Sequence, residues 1–310
     1  MKTFLFLTAI LGALSSFARE KKLVLHNNGK VQYEYELEGF MLDGRFTCYY
    51  ETGKLRIKGQ FSNNQKTGLW RYWDEKGLLR AERNYSDNQH FTVISQRDSS
   101  GNKIKLATEE DGRPLAVICD FSVANGAPVL FSHRYVSAIA MEDPANRELF
   151  VETGLAGNIL KKINEKKIVA FADDRFTQPV NLSSVSGFVA SDVVSFLIKE
   201  DYVCVSTENP VVFNKVIGVC PIVIQKGVRK ELGWIYVPDL DDADTKDQLT
   251  RIRNHQYKTN IIKTTINDPS FKLRDVSAKE SETLHLALLE IEANTILYML
   301  DNNQALATNQ

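Results

Sequence analysis

Long hydrophobic runs are scarce in this 310-residue chain, and the scarcity sets the first boundary. Beyond the run from Phe4 to Leu14, no stretch approaches the roughly 20 apolar residues that a spanning helix needs, so no transmembrane segment is expected. An excess of either charge is missing as well. Lys plus Arg number 38 against 39 for Asp plus Glu, which offers nothing to nucleic acid or to an anionic membrane surface. Cysteine is limited to Cys48, Cys119, Cys204 and Cys220. Three disulfide pairings are open to these four; the other reading is four buried thiols, favoured because a chain that is 43% hydrophobic builds a core without staples.

Signatures of chemistry are equally sparse. The five histidines, His26, His90, His133, His255 and His285, never form a two-histidine spacing. Glu282 and His285 make one Glu-x-x-His step, but a carboxylate-bridged metal site needs a second copy and more carboxylates. "SSVSGF" around Ser186 lacks the glycine two residues before the serine of a nucleophile elbow, and "GLAGN" lacks the lysine of a phosphate loop. No catalytic, cofactor or metal residues are nominated, and the expectation is a protein that is not an enzyme. A hydrolase would have to assemble its site in space.

What is present begins with a leader. "MKTFLFLTAILGALSSFA" has a lysine, an apolar run and then small residues at Ser16 and Ala18, so cleavage after Ala18 is expected. Losing Lys2 leaves 38 − 1 = 37 basic residues against 39 acidic, a mature charge of −2.

A period follows. Gly29, Gly53, Gly77 and Gly101 stand 24 residues apart, and Gly126 arrives one residue late as a candidate fifth copy. Gly44 matches Gly68, Phe46 matches Trp70, Tyr49 matches Trp73, Leu55 matches Leu79 and Phe61 matches Tyr85. Such a period means an array of one supersecondary unit. In "FTCYYETGKLRIKGQF" the alternation of Phe46, Cys48 and Tyr50, then Leu55 and Ile57 after the turn, predicts strand, tight turn, strand, with the glycine supplying a positive φ. One hairpin cannot bury its apolar face alone, so Trp70, Tyr72, Trp73 and Tyr85 are expected to stack with their equivalents in neighbouring units. The repeat aromatics, Tyr49, Tyr50, Trp70, Tyr72 and Trp73, are either hairpin core or, on one face, a docking surface. "DGRFTCYYETGKLRIKGQF" and "KTGLWRYWDEKGLLRAERNY" resemble tandem MORN-type repeats in the variant familiar from YwqK-like proteins. That resemblance implies a structural or binding platform over residues 22–131.

The glycine period stops after Gly126. "GLAGNILKKINEKKI" places Leu155, Ile159, Leu160 and Ile163 on one helical face, "IVAFA" reads as a strand, and "SDVVSFLIKEDYVCV", "VFNKVIGVCPIVI" and "ELGWIYVP" read as β-rich segments of an α+β domain. Three adjacent charges, Lys199, Glu200 and Asp201, cannot all be buried unpaired, so a strand end is expected, with Glu200 or Asp201 paired to a base such as Arg134. Trp234 and Tyr236 alternate on one face of "WIYVP". In order, "IKEDY", "IGVCP" and "WIYVP" resemble the GldN/PorN family, periplasmic ring components of the type IX secretion and gliding-motility machinery of Bacteroidetes, over Ser132 to Leu240. Arg134, Asp143 and Asn146 fall where that family has a strand-turn element. The resemblance implies a domain at 132–268, an exported protein in the periplasm or on the periplasmic face of the outer membrane, and protein partners that include a ring lipoprotein and further copies of itself. It makes Arg134, Lys199, Glu200, Asp201, Trp234 and Tyr236 the candidate interface. The alternative is a free-standing envelope module whose repeat face captures a protein or glycan.

The remaining stretch, 269–310, carries a helix from Ser277 to Asp301. "SAKE" gives the capping-box spacing of Ser277 and Glu280, and Leu284, Leu288 and Ile291 give an apolar face. The last residues, "NNQALATNQ", are expected to fray. The fold class is thus a mainly β array of hairpins, then an α+β domain, then a C-terminal helix.

Overall fold

The computed structural model of the protein describes residues 19–88, 90–106, 116–118, 129–181, 185–205, 211–240, 242–266, 268, 270 and 272–307. The leader, Cys119 and Gly126 lie outside them. The first sheet is an antiparallel meander whose strand order equals its sequence order. Its strands are β1 (Glu20–Leu25), β2 (Val31–Glu38), β3 (Met41–Tyr49), β4 (Leu55–Ser62), β5 (Gln65–Trp73), β6 (Leu79–Tyr85), β7 (His90–Gln96) and the short β8 (Ala116–Ile118).

The 24-residue glycines explain the connections along one end of this sheet. Gly29, Gly53, Gly77 and Gly101 have φ of +81°, +87°, +89° and +91°. In each turn the glycine amide donates to the carbonyl three residues back, on His26, Tyr50, Asp74 and Asp98 in turn. That residue's amide then donates to the carbonyl just after the glycine, on Lys30, Lys54, Leu78 and Asn102. This is a three-residue hairpin loop closed by a left-handed glycine, and it inserts a bulge beside the turn. The register slips accordingly at Val24/Leu25, Cys48/Tyr49 and Tyr72/Trp73.

Neighbouring turns are tied together. Lys30 Nζ donates to the carbonyl of Thr52 at 2.9 Å, and one period later Lys54 Nζ donates to those of Glu75 and Lys76 at 3.2 Å. At the opposite end of the strands, Asn64 Oδ1 accepts from the Leu42 amide and Asn88 Oδ1 accepts from the Lys66 amide, again 24 residues apart.

The inner face of the sheet is aromatic. Phe46 and Trp70 stack with centroids 5.8 Å apart, Phe61 meets Trp70 edge-on at 4.9 Å, and Tyr85 continues the row to Phe91. Trp70, Tyr72 and Tyr50 are buried there, whereas Tyr49 and Trp73 are half-buried on the other face. Phe46–Trp70 and Trp70–Tyr85 are the contacts that join unit to unit.

A second sheet has the order β10–β14–β12–β11–β9–β15–β16, with β13 on β12. Its strands are β9 (Val129–Ala140), β10 (Ala170–Phe171), β11 (Val193–Val205), β12 (Val211–Gln225), β13 (Val228–Glu231), β14 (Trp234–Tyr236), β15 (Asn260–Thr264) and β16 (Arg274–Asp275). Helices α1 (Leu155–Asn164) and α2 (Lys246–Arg253) cover one face, where Leu155, Ile159, Leu160 and Ile163 meet Phe196, Ile198, Val219 and Ile235. The strand expected over "IVAFA" shrinks to Ala170–Phe171, because β14 offers only a two-residue pairing there.

The last helix, α3 (Ala278–Ala307), runs six residues past its expected end at Asp301. It buries more than the single face read from Leu284, Leu288 and Ile291. Leu286, Ala293, Ile296 and Leu300 pack against the aromatic face of the first sheet, while Leu284 and Leu288 pack against Tyr135, Ile261 and Ile266 of the second domain. Being buried on two sides, the helix carries apolar residues nearly all round. Its capping box is half made: Ser277 Oγ accepts from the Glu280 amide, but the Glu280 carboxylate turns instead to Arg274.

Gly59 tests the inner-face packing. A Cβ there would sit 2.2 Å from the Trp70 ring, so Gly59→Ala is expected to cost about 1–3 kcal/mol by overpacking. Urea denaturation followed by tryptophan fluorescence measures this, and an unchanged midpoint would refute the packing described.

Candidate functional site

The bulge beside each hairpin turn has a chemical consequence. It skips one residue in the pairing, and the skipped residues are Gln32, Arg56 and Arg80, spaced by 24. All three reach α3. Gln32 Nε2 and Arg56 both bond the Glu290 carboxylate, Arg56 also donates to Asn294 Oδ1 at 2.9 Å, and Arg80 pairs with Asp301 at 2.5 Å. The Tyr33 hydroxyl donates to Glu290 too. A bulge re-aims a side chain, and here the repeat multiplies that effect into a row.

Between these contacts lies a buried ion pair. Lys66 Nζ meets the two oxygens of Glu292 at 2.7 and 2.6 Å, and the side chains are 9% and 4% exposed. The ammonium also sits 4.6 Å from the Tyr85 ring centroid and 5.7 Å from that of Trp70, and the Tyr85 hydroxyl donates to Glu292. Burial, together with the Glu292 charge, holds the Tyr85 phenol above its ordinary pKa despite Lys66.

Beside α3 a cavity of about 510 Å³ opens between the two sheets. Leu37, Phe40, Leu42 and Phe61 wall it from the first sheet, and Phe213, Leu288 and Leu289 from the other side. Its polar end is a network on the second sheet. Ser137 Oγ donates to Glu200 Oε2 at 3.0 Å, Asn214 Nδ2 donates to Glu200 Oε1 at 2.7 Å, and the Tyr135 hydroxyl donates to Asn214 Oδ1 at 2.8 Å. His255 Nε2 stands 3.0 Å from Asn214 Nδ2 and 3.3 Å from the Tyr135 hydroxyl. Burial pushes the Tyr135 phenol well above its ordinary pKa, and the nearby Glu200 charge adds to this.

These positions correct the strand-end reading of Lys199, Glu200 and Asp201. The three lie in the middle of β11, 3%, 2% and 8% exposed, hydrogen-bonded between β9 and β12. They avoid unpaired burial by alternation. Asp201 takes a bidentate pair from Arg134, at 2.7 Å for both bonds, as the sequence suggested. Lys199 points to the face away from the cavity, where Asp174 holds it and the Phe176 ring lies 5.5 Å away. Trp234 is buried with Cys220 and Ile222, and Tyr236 is 39% exposed with its ring 5.3 Å from Phe176. Asn146 ties the turn after β9 to the α2–β15 connection, bonding the carbonyls of Ala140 and Lys258 and the Lys258 amide. Cys48, Cys204 and Cys220 are buried, Cys48 and Cys220 as free thiols.

Residues 125–275 match the family model described as gliding motility associated protein GldN. Residues 42–63, the hairpin of β3 and β4, match that of the MORN repeat variant. Both parts of the resemblance read from the motifs are thereby shown, and no curated protein matches the chain. The GldN match takes in the whole second sheet with α1 and α2 and stops at Asp275, the end of β16. Helix α3 belongs to neither matched stretch, yet it packs on both. Among the described residues no group of three or more His, Cys, Asp or Glu side chains can hold a metal, and no helix is long and apolar enough to cross a membrane.

Sequence reading missed Gln32, Arg80, Glu290, Glu292, Asn214 and His255. The first two carried a signal, since a polar or basic residue recurs at 32, 56 and 80. The others are brought together only by tertiary contact.

Removing one partner of a buried pair strands the other charge, so Lys66→Met is expected to cost about 3–5 kcal/mol, while Lys66→Met with Glu292→Leu regains most of it. Chemical denaturation of both variants checks this; equal losses would mean the pair is not desolvated. A second prediction concerns His285 on α3, whose imidazole is pushed down to about 4 by burial, with any charge on His255 adding to the effect. Below the ordinary value of 6.5 the unfolded chain binds a proton there that the folded chain refuses. Stability is expected to fall as pH drops from 6.5 toward 4, and His285→Gln should flatten that part of the profile. Identical profiles for the two proteins would contradict the assignment.

Proposed function

We propose that the chain is an exported, non-catalytic structural component of a gliding-motility or type IX secretion complex of the cell envelope, working in the periplasm or on the periplasmic face of the outer membrane. The observation that carries this is the GldN match across the complete second sheet. The expected leader and the shortage of apolar runs support it. In this reading the array at 22–131 is an added platform, the domain at 132–268 makes the contacts within the complex, and the tail at 269–310 clamps the two. Its partners are a ring lipoprotein and further copies of itself. Within the candidate interface, Arg134 and Tyr236 have surface to offer, and Lys199, Glu200, Asp201 and Trp234 support them from inside.

A second reading, a free-standing envelope module that binds through its repeats, draws support from the outer face of the first sheet. The inner aromatic face is covered by α3, but Leu25, 51% exposed, stands in the same register row as Tyr49 and Trp73. Crosslinking and affinity purification of the tagged mature protein from its native envelope, with mass spectrometry and a sizing run, separate the two. Recovery in a very large particle with a secretion-system lipoprotein is the expected result, unaffected by Tyr49→Ala with Trp73→Ala. A small particle whose single partner is lost in that double variant would replace the first reading with the second.

A further inference from the structure

Glu200 is a carboxylate without a fixed counter-charge. It is 2% exposed, and among the described residues the only basic side chain in ion-pair range is His255, at 3.5 Å. Hydrogen-bond valence decides the state of that histidine. Tyr135 donates to Asn214 Oδ1, so the amide presents its two protons from Nδ2, one to Glu200 Oε1 and one to His255 Nε2. An Nε2 that accepts carries no proton. His255 is then the neutral tautomer protonated on Nδ1 and brings no positive charge to Glu200. Of the other basic groups that line the cavity, Lys66 is committed to Glu292, Lys258 to Asp143 and Lys22 to Glu20, and among the described residues neither Arg253 nor His285 comes within ion-pair range of Glu200. Buried charges are ordinarily paired, and this one faces a cavity of about 510 Å³ instead.

The apolar walls say what the missing partner looks like. Leu37, Phe40, Leu42, Phe61, Phe213 and Leu288 are apolar, two of the rings come from the first sheet, and Tyr202 stands beside Glu200 at the polar end. A cation on an apolar stem satisfies both ends at once, since the carboxylate neutralises the head and the aliphatic and aromatic wall buries the stem. The geometry points to a binding site, between the two sheets and beside α3, for a ligand with an alkylammonium or guanidinium head on an apolar stem, seated on Glu200. The source is either a free amine or the lysine or arginine side chain of a partner protein.

Isothermal titration of the full mature chain tests this with three probes: n-hexylammonium, its isostere 1-hexanol, and Nα-acetyl-lysine methylamide. The ammonium is expected to bind at least about tenfold tighter than the alcohol, the span of one charge-assisted hydrogen bond, and Glu200→Gln is expected to abolish the difference. Tighter binding of hexylammonium assigns the site to free amines, and tighter binding of the blocked lysine assigns it to a partner's side chain. Equal affinity for ammonium and alcohol, or binding of neither cation, overturns the proposal, and this comparison needs no variant. Nitrogen NMR that finds His255 doubly protonated at neutral pH would overturn it as well, because Glu200 would then be neutralised from within.

Discussion

The seating of α3 between the two sheets depends on the pairing of Lys66 with Glu292. Lys66 is the second residue of β5, and Glu292 sits at the middle of α3, so one ion pair joins the repeat array to the last helix across 226 residues of sequence. An ion pair out of water is a weak source of stability, because the desolvation of both ions offsets most of their attraction. Its contribution is to register, because sliding α3 along the array would part Glu292 from the buried Lys66. Apolar contacts at Leu286, Ala293, Ile296 and Leu300 supply the burial, at about 25 cal/mol per Å² of apolar surface, and the ion pair fixes the register in which that burial occurs.

The repeat prepares the surface that α3 occupies. Each hairpin turn needs a left-handed residue, glycine supplies it, and the resulting bulge brings one extra side chain to the inner face. Because the turn recurs every 24 residues, Gln32, Arg56 and Arg80 form a polar row next to the Phe46–Trp70–Tyr85 aromatic row. A helix with carboxylates at Glu290, Glu292 and Asp301 complements both rows. On the second sheet, strand alternation sorts Lys199, Glu200 and Asp201 in the same way, sending consecutive charges to opposite faces.

Much of the fold was legible. The glycine period gave the hairpins because a positive φ at a fixed position is a local requirement, written locally. The strands of the second domain were legible from runs bounded by Pro, Asn and Gly, and the motifs "IKEDY", "IGVCP" and "WIYVP" carried a resemblance that the family match shows. What was not legible depends on contacts between distant segments. The charges of β11 looked like a strand end because hydropathy along one strand cannot register that β9 supplies Ser137 while β12 supplies Asn214. Helix α3 looked one-sided because Leu284, Leu288 and Ile291 form the obvious stripe, and only a second packing surface explains Leu286, Ala293 and Ile296.

The 226-residue separation of that central pair also orders events in time. A ribosome that has just finished the repeat array at residue 131 has about 160 residues still to add before Glu292 exists, roughly 8–32 s at 5–20 residues per second. Through that interval Lys66 and the aromatic row have no helix to meet, so the array waits with its inner face open to water or to a chaperone. Its inner face is closed by α3, and any stop before that helix leaves a full set of repeats with nothing to cover them.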